Sequence, residues 1–172
     1  AIAISHRIGI SFKFIRQALR GFEGVKRRMT LIKTLDKRKY FDDYAHHPTE
    51  IKASLKALRD LSKRRIITVV QPHRFSRIKQ TFDKFSKSFK NSDFVIILPV
   101  YAAGEKKIKN INSSSLAKSI QKNSKTKTLA FNDFKKVEDF LNHEVKKGET
   151  VIFMGAGNIS NLANNYVNTL GK

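Results

Sequence analysis

Four short apolar runs constrain this chain more than any other feature: Ile66 to Val70 (IITVV), Phe94 to Val100 (FVIILPV), Thr128 to Phe131 (TLAF) and Thr150 to Met154 (TVIFM). Each is rich in β-branched or aromatic residues and too short for a buried helix, so each reads as a strand. A less apolar run over Lys39 to Asp42 reads the same way. Between the runs, apolar residues recur at helical spacing. Ile51, Leu55, Leu58 and Leu61 follow Pro48, which suits a first helical turn. Ile78, Phe82, Phe85 and Phe89 mark a second helix, serines cap a shorter candidate over 113–122, Phe134, Val137, Leu141 and Val145 mark another, and 159–170 closes the chain. Strands alternating with helices of this length predict parallel βαβ units, and the nearly continuous IITVV and FVIILPV predict central strands covered on both sides. The fold class is therefore α/β: an open, mostly parallel sheet with helices on both faces. The Phe residues fall on the buried stripes, so they read as core rather than as a base-stacking platform.

Ahead of the sheet, Ile2, Ile4, Ile8, Ile10, Phe14, Ile15 and Leu19 predict a helical hairpin. Gly9 ends its first helix, Ser11 caps its second, and Gly21 and Gly24 stop it. No initiating Met is present, so residue 1 is expected not to be a natural start and the chain to be a fragment of something longer.

Composition narrows the chemistry. There are no cysteines, which removes disulfides and thiolate metal sites and permits a reducing compartment, with cytoplasm as the default expectation. No apolar run approaches the roughly 20 residues of a membrane helix, and the first residues lack a secretory signal pattern. The formal net charge of +21 would attract any polyanion. It admits two readings, a basic nucleic-acid-binding α/β module or lysine as the ordinary residue of solvated helix faces; the second is expected.

In open α/β sheets ligands bind outside the carboxyl ends of the strands. That rule selects the loops DYAHHP (43–48), QPHRFSR (71–77), YAAGE (101–105) and GAGNIS (155–160), which hold three of the five histidines and the pair Arg74 and Arg77. A zinc site from His46, His47 and His73 is disfavoured, because adjacent histidines diverge and no His-x-x-x-His pair exists. GAGNIS lacks the third glycine of a dinucleotide fingerprint and reads as a tight turn. No G-x-x-x-x-G-K-[ST] phosphate loop is present. Arg74 and Arg77, three residues apart near a helix start at Ser76, could clamp a carboxylate or phosphate.

Together FEGVKRRM (22–29), DDYAHHPTEI (42–51), QPHRFSR, YAAGE and MGAGNIS (154–160), in this order and spacing, resemble the C-terminal part of the ATP-dependent Mur ligase family of peptidoglycan synthesis. Within it they are most similar to the branch that joins L-alanine to UDP-N-acetylmuramate through an acyl phosphate. A branch that recycles murein tripeptide shares a similar histidine loop and is the nearer alternative. The resemblance implies a Rossmann-like C-terminal domain over 25–172, with 1–24 the last helices of a central ATPase domain. The missing N-terminal and central domains are then partners, and UDP-N-acetylmuramate, L-alanine and ATP or ADP are ligands. ATP and Mg2+ serve the full-length enzyme, with the magnesium ligands expected in the missing domains, and the fragment alone is expected to be inactive. It implies no membrane span and no specific nucleic acid. By motif, Arg28 and Asp43 resemble ATP contacts, with Arg27 and Asp42 open as alternatives. Tyr44 and His46 resemble residues facing the incoming amino acid, and Arg74 and Arg77 the pair that binds its carboxylate. No catalytic residue is assigned with them, and His47, beside Pro48, is expected to be structural. Ala45 stands where the family often has glycine, and Met29 where it often has an aromatic.

Overall fold

The computed structural model describes residues 1–22 and 24–171. Glu23 of the FEGVKRRM motif and Lys172 at the end of the expected domain lie outside them. After two short helices, α1 (Ile2–Arg7) and α2 (Phe12–Arg20), the chain forms β1 (Thr30–Leu35), β2 (Arg38–Asp43), α3 (Pro48–Leu61), β3 (Ile66–Val70), α4 (Phe75–Ser86), β4 (Phe94–Ile97), α5 (Ser113–Ser124), β5 (Lys127–Ala130), α6 (Phe134–Glu144), β6 (Thr150–Met154) and α7 (Ile159–Thr169). The six strands make one sheet in the order β1-β2-β6-β3-β4-β5, antiparallel between β1 and β2 and parallel elsewhere.

The expected central strands are central. Every residue of β3, β4 and β6 is buried, and each large apolar side chain so buried contributes about 1.5–3 kcal/mol relative to exposure. Alternate residues feed two cores. One face carries Ile66, Val70, Val95, Ile97, Ile152 and Met154 against α3, α4 and α5. The other carries Ile67, Val69, Phe94, Ile96, Val151 and Phe153 against α6 and α7.

Several boundaries differ from those expected. FVIILPV keeps strand pairing only to Ile97, because Pro99 has no N–H to give a ladder. TLAF shifts one residue back, to Lys127–Ala130. Helix α4 starts at Phe75 rather than Ser76 and ends before Phe89, which is nonetheless buried. Asn112 caps α5, accepting the Ser115 amide at 2.9 Å. Ser11 sits at the N-cap position of α2 but makes no side-chain cap bond. Strand β1 has no counterpart among the expected strands: none of its residues is fully buried, its register shifts between Leu31 and Lys33, and its turn to β2 is Asp36-Lys37. Both turn residues have positive φ, as a type I′ hairpin requires, without the usual Asn-Gly signal.

The strand order fixes where a ligand can sit. The chain runs outward from β3 to β4 and β5, then returns through α6 to place β6 between β2 and β3. The direction of travel reverses beside β3 and β6, and the crevice outside their carboxyl ends is where open α/β sheets bind ligands.

Candidate functional site

Four loops meet at that crevice. The backbone ties them together: Gln71 N–H donates to Met154 O at 2.9 Å, and Gly155 N–H to Asp43 O at 3.0 Å. The Gln71 amide reaches across to Asn158, its Nε2 donating to Oδ1 at 2.8 Å. GAGNIS is the tight turn expected of it. A Cβ on Gly157 would collide with Gln71 Oε1 and stand 2.7 Å from Cγ of Tyr101, and one on Gly155 would stand 2.9 Å from Gln71 O. Only bare backbone lets these loops close.

Strand alternation separates the two aspartates that sequence could not. Tyr40 and Asp42 face α7, while Phe41 and Asp43 face α3. Asp42 accepts a short hydrogen bond from the Ser160 hydroxyl and lies 3.9 Å from Arg27 Nε. Burial raises its carboxyl above the ordinary value, against the opposing pull of Ser160 and Arg27. Asp43 is 2% exposed and accepts from the amides of Met29 (3.1 Å) and Ala45 (2.7 Å) and from the Ser54 hydroxyl (3.0 Å). It therefore braces the loop from within rather than presenting an open carboxylate.

The arginine pair divides as well. Arg27 turns inward, with positive φ, and its Nη2 donates to the carbonyls of Gly155 (2.8 Å) and Gly157 (3.3 Å). Arg28 is half exposed, 3.6 Å from Glu50 Oε1. Both guanidinium groups approach the Tyr44 ring, at 4.9 and 5.3 Å from its centroid, a cation–π arrangement. Arg28 is thus the more exposed of the two, with Glu50 as its carboxylate partner.

At the head of α3, His47 is the N-cap. Its Nδ1 accepts from Thr49 N–H, and Glu50 Oε2 accepts the amides of His46 (3.1 Å) and His47 (3.2 Å), a capping box built on histidine. Burial alone would raise Glu50, but those amides, with His46 and Arg28, outweigh it and hold the carboxyl below its ordinary value. His46 lies between Glu50, 3.5 Å from its Nδ1, and the neighbouring loop. Its Nδ1 donates to Tyr44 O at 2.9 Å, and its ring meets Tyr44 at 5.3 Å and His73 at 5.6 Å.

His73 stacks on Tyr101 at 5.5 Å with the rings 13° apart. Arg77 Nη1 lies 3.3 Å from His73 Nδ1; a guanidinium can only donate, so Nδ1 accepts and the ring proton sits on Nε2. Burial lowers the His73 pKa, and nearby His46, Arg77 and Arg74 push the same way, so the ring is neutral at pH 7. Arg74 occupies the N-cap position of α4 with φ of 65°, and its Nε lies 3.0 Å from Glu105 Oε1. Tyr44, His46, His73, Arg77 and Arg74 therefore converge through direct contacts or shared neighbours, while His47 is turned into its own helix. Among the described residues no group of three His, Cys, Asp or Glu side chains is placed to hold a metal ion.

The family model for the Mur ligase glutamate ligase domain matches residues 27–157. The chain belongs to this family. Among curated relatives, the UDP-N-acetylmuramate–L-alanine ligase of Bartonella henselae is 44% identical over 163 residues, covering 95% of this chain and 34% of that protein. The chain thus spans about a third of the length of the curated relatives it matches. Among solved structures, the UDP-N-acetylmuramate-alanine ligase of Thermotoga maritima shares the fold with a TM-score of 0.79 at 23% identity, over 98% of this chain and 35% of that one. A murein peptide ligase of Psychrobacter arcticus shares it with a TM-score of 0.72 at 23% identity, over 99% and 35%.

In this Mur ligase domain the loops that resemblance selected are the ones the sheet assembles. From sequence, YAAGE gave Tyr101 and Glu105 no role, Arg27 stayed open as an alternative to Arg28, and Gln71 had no role. The signal for the first two was there, as a motif at the end of a predicted central strand. The inward turn of Arg27 had none, since nothing in KRRM distinguishes the inward arginine from the more exposed one.

Proposed function

We propose that this chain is the C-terminal domain of an ATP-dependent ligase that joins L-alanine to UDP-N-acetylmuramate in peptidoglycan synthesis, working in the cytoplasm, and that residues 1–24 belong to the end of a central domain. The observation that carries the reading is the contact between the β2–α3 and β3–α4 loops: imidazoles of His46 and His73 at 5.6 Å, with Arg77 against one side of His73 and Tyr101 stacked on its ring. A rim of neutral His73, cationic Arg74 and Arg77, and Tyr44 fits a small zwitterion, with guanidinium for its carboxylate and imidazole and phenol to limit its side chain. The 44% identity to a curated alanine ligase favours L-alanine as that zwitterion over a murein tripeptide.

ATP fits the other side of Tyr44. Arg28 holds a half-exposed guanidinium there, suited to a phosphate or to the face of a nucleotide, whereas Asp43 contributes by fixing the loop on which Tyr44 stands. The chain has no phosphate loop, so its contacts position a nucleotide cradled elsewhere. Among the described residues Mg2+ finds no fitting site: Asp42 and Asp43 are buried and bonded to their own neighbours. Its ligands are assigned to the rest of the protein. The front helices support a junction with another domain. Ile2, Ile4, Ile8, Phe12, Phe14 and Leu19 are exposed, and Ile15 is the one buried residue of the pair; so much bare apolar surface marks an interface.

The test is ADP release by the full-length protein with ATP, UDP-N-acetylmuramate and one amino compound at a time. L-Alanine should drive turnover, and this chain alone should show none. Turnover dependent on a murein tripeptide instead would transfer the protein to the recycling branch.

A further inference from the structure

Glu105 stands outside the residues assigned so far, yet its carboxylate is committed to the β3–α4 loop from two directions. Oε2 accepts the Ser76 amide at 2.9 Å, Oε1 accepts the Ser76 hydroxyl at 2.6 Å, and Oε1 lies 3.0 Å from Arg74 Nε. Arg74 sits at the N-cap position of α4 but gives the helix no side-chain cap bond. Glu105 supplies that cap from another loop. The backbone repeats the arrangement. Arg74 N–H donates to Tyr101 O at 2.9 Å, Tyr101 N–H donates to Pro72 O at 2.8 Å, and His73 and Tyr101 form an isolated parallel bridge. The segment Tyr101–Glu105 is a strap across the loop, and it holds Arg74 at a φ of 65°, a conformation non-glycine residues keep only when their surroundings impose it.

We propose that Glu105 is a positioning residue of the amino-acid site: by occupying the Nε edge of Arg74, it turns the two terminal guanidinium nitrogens toward the incoming carboxylate. A guanidinium offers a carboxylate two bidentate faces, the pair of terminal nitrogens or the edge that includes Nε. Glu105 fills the second, so the first is the face left for substrate. The Arg74 side chain is 46% exposed and would otherwise sample many rotamers, which binding would have to freeze. The inference rests on Arg74 being the carboxylate ligand. A competing electrostatic view makes the opposite prediction: a carboxylate on Arg74 would merely repel the substrate's own, and removing it would tighten binding.

Steady-state kinetics of the full-length protein decide between these views. Glu105→Gln should raise the KM for L-alanine about five- to tenfold, with kcat and the constants for ATP and UDP-N-acetylmuramate changed less than about twofold. Glu105→Asp should recover part of the loss. The double variant Arg74→Ala/Glu105→Gln should be no worse than Arg74→Ala, because a positioning residue has nothing left to position. In this chain by itself, NMR should show a slowly exchanging Arg74 Nε–H that becomes fast in Glu105→Gln. An alanine KM that is unchanged or lower in Glu105→Gln overturns the proposal, as does a fall in melting temperature alone, which would leave Glu105 only a helix cap. So does an Arg74 Nε–H indifferent to the substitution. If Arg74→Ala itself leaves the alanine KM unchanged, the site reading fails and the positioning role with it. If Arg74→Ala raises that constant and Glu105→Gln does not, only the positioning role fails.

Discussion

The β2–α3 turn is held by its own residues, whereas the β3–α4 turn is held by a neighbour. In the first, Asp43 binds the amide of Ala45 two residues on, His47 caps the helix it precedes, and Glu50 reaches back to the amides of His46 and His47. In the second, Arg74 leaves its helix uncapped and depends on Tyr101 and Glu105, the latter 31 residues away in sequence by the numbering of the chain. A self-braced turn can present side chains in fixed directions whatever happens around it. A borrowed one couples its arginine to a second loop, so disturbance of that loop should reach the proposed amino-acid site without touching it.

The largest expected break in this contrast is Asp43→Ala. It leaves two amides and a hydroxyl without their shared acceptor and should cost about 3 kcal/mol, or roughly 6–12 °C in melting temperature for a domain of this size. A fall below about 1 kcal/mol by urea denaturation would show that the turn is not self-braced. Next comes Gly157→Ala, where the added methyl meets the Tyr101 ring and Gln71 Oε1. Overpacking should cost about 1–3 kcal/mol and, by shifting Tyr101 from His73 and Arg74, should raise the alanine KM as well. A loss of stability with no kinetic effect would uncouple the strap from the site. His47→Ala should cost about 1 kcal/mol as a lost cap, measurable by thermal unfolding, and should leave the alanine KM unchanged because the ring faces its own helix.

Much of this was legible in the chain, for reasons that particular residues make plain. IITVV and FVIILPV declared central strands because burial on both faces removes the need for polar alternation. Pro48 announced the start of α3 because the first helical turn suits a residue with no N–H to give. Strand β1 stayed hidden because an edge strand with half-buried residues, a register shift and an Asp-Lys turn carries neither a clean period nor a turn signal. The histidine loop was readable as chemistry from residues within nine positions of one another. The roles of Glu105, Arg27 and Gln71 were not, since each acts on a loop distant in sequence, and adjacency between loops is a property of strand order rather than of any local pattern.

The smallest effects concern pH. Glu50 has its carboxyl held below the ordinary value of 4.5, so its contribution to stability is present above pH 4.5 and is lost as pH falls through its folded value. Glu50→Gln should flatten the melting-temperature profile in that acid range. His73 is held below its ordinary 6.5, so the unfolded chain binds the proton first and stability declines as pH drops from 6.5 toward the folded value. His73→Phe should remove that part of the slope, and a profile unchanged by the substitution would mean the ring is not kept neutral.

The central claim is that one rim serves two ligands from two arginines, Arg74 on the amino-acid side and Arg28 on the nucleotide side of Tyr44. The most direct measurement is the pair of Michaelis constants, for L-alanine and for ATP, in full-length Arg74→Ala and Arg28→Ala. The account predicts a crossover: Arg74→Ala raises the alanine constant by about 10- to 100-fold, the equivalent of one charged hydrogen-bonded contact, and leaves the ATP constant within about twofold, while Arg28→Ala does the reverse. Both variants moving the same constant, or Arg74→Ala moving neither, would contradict it.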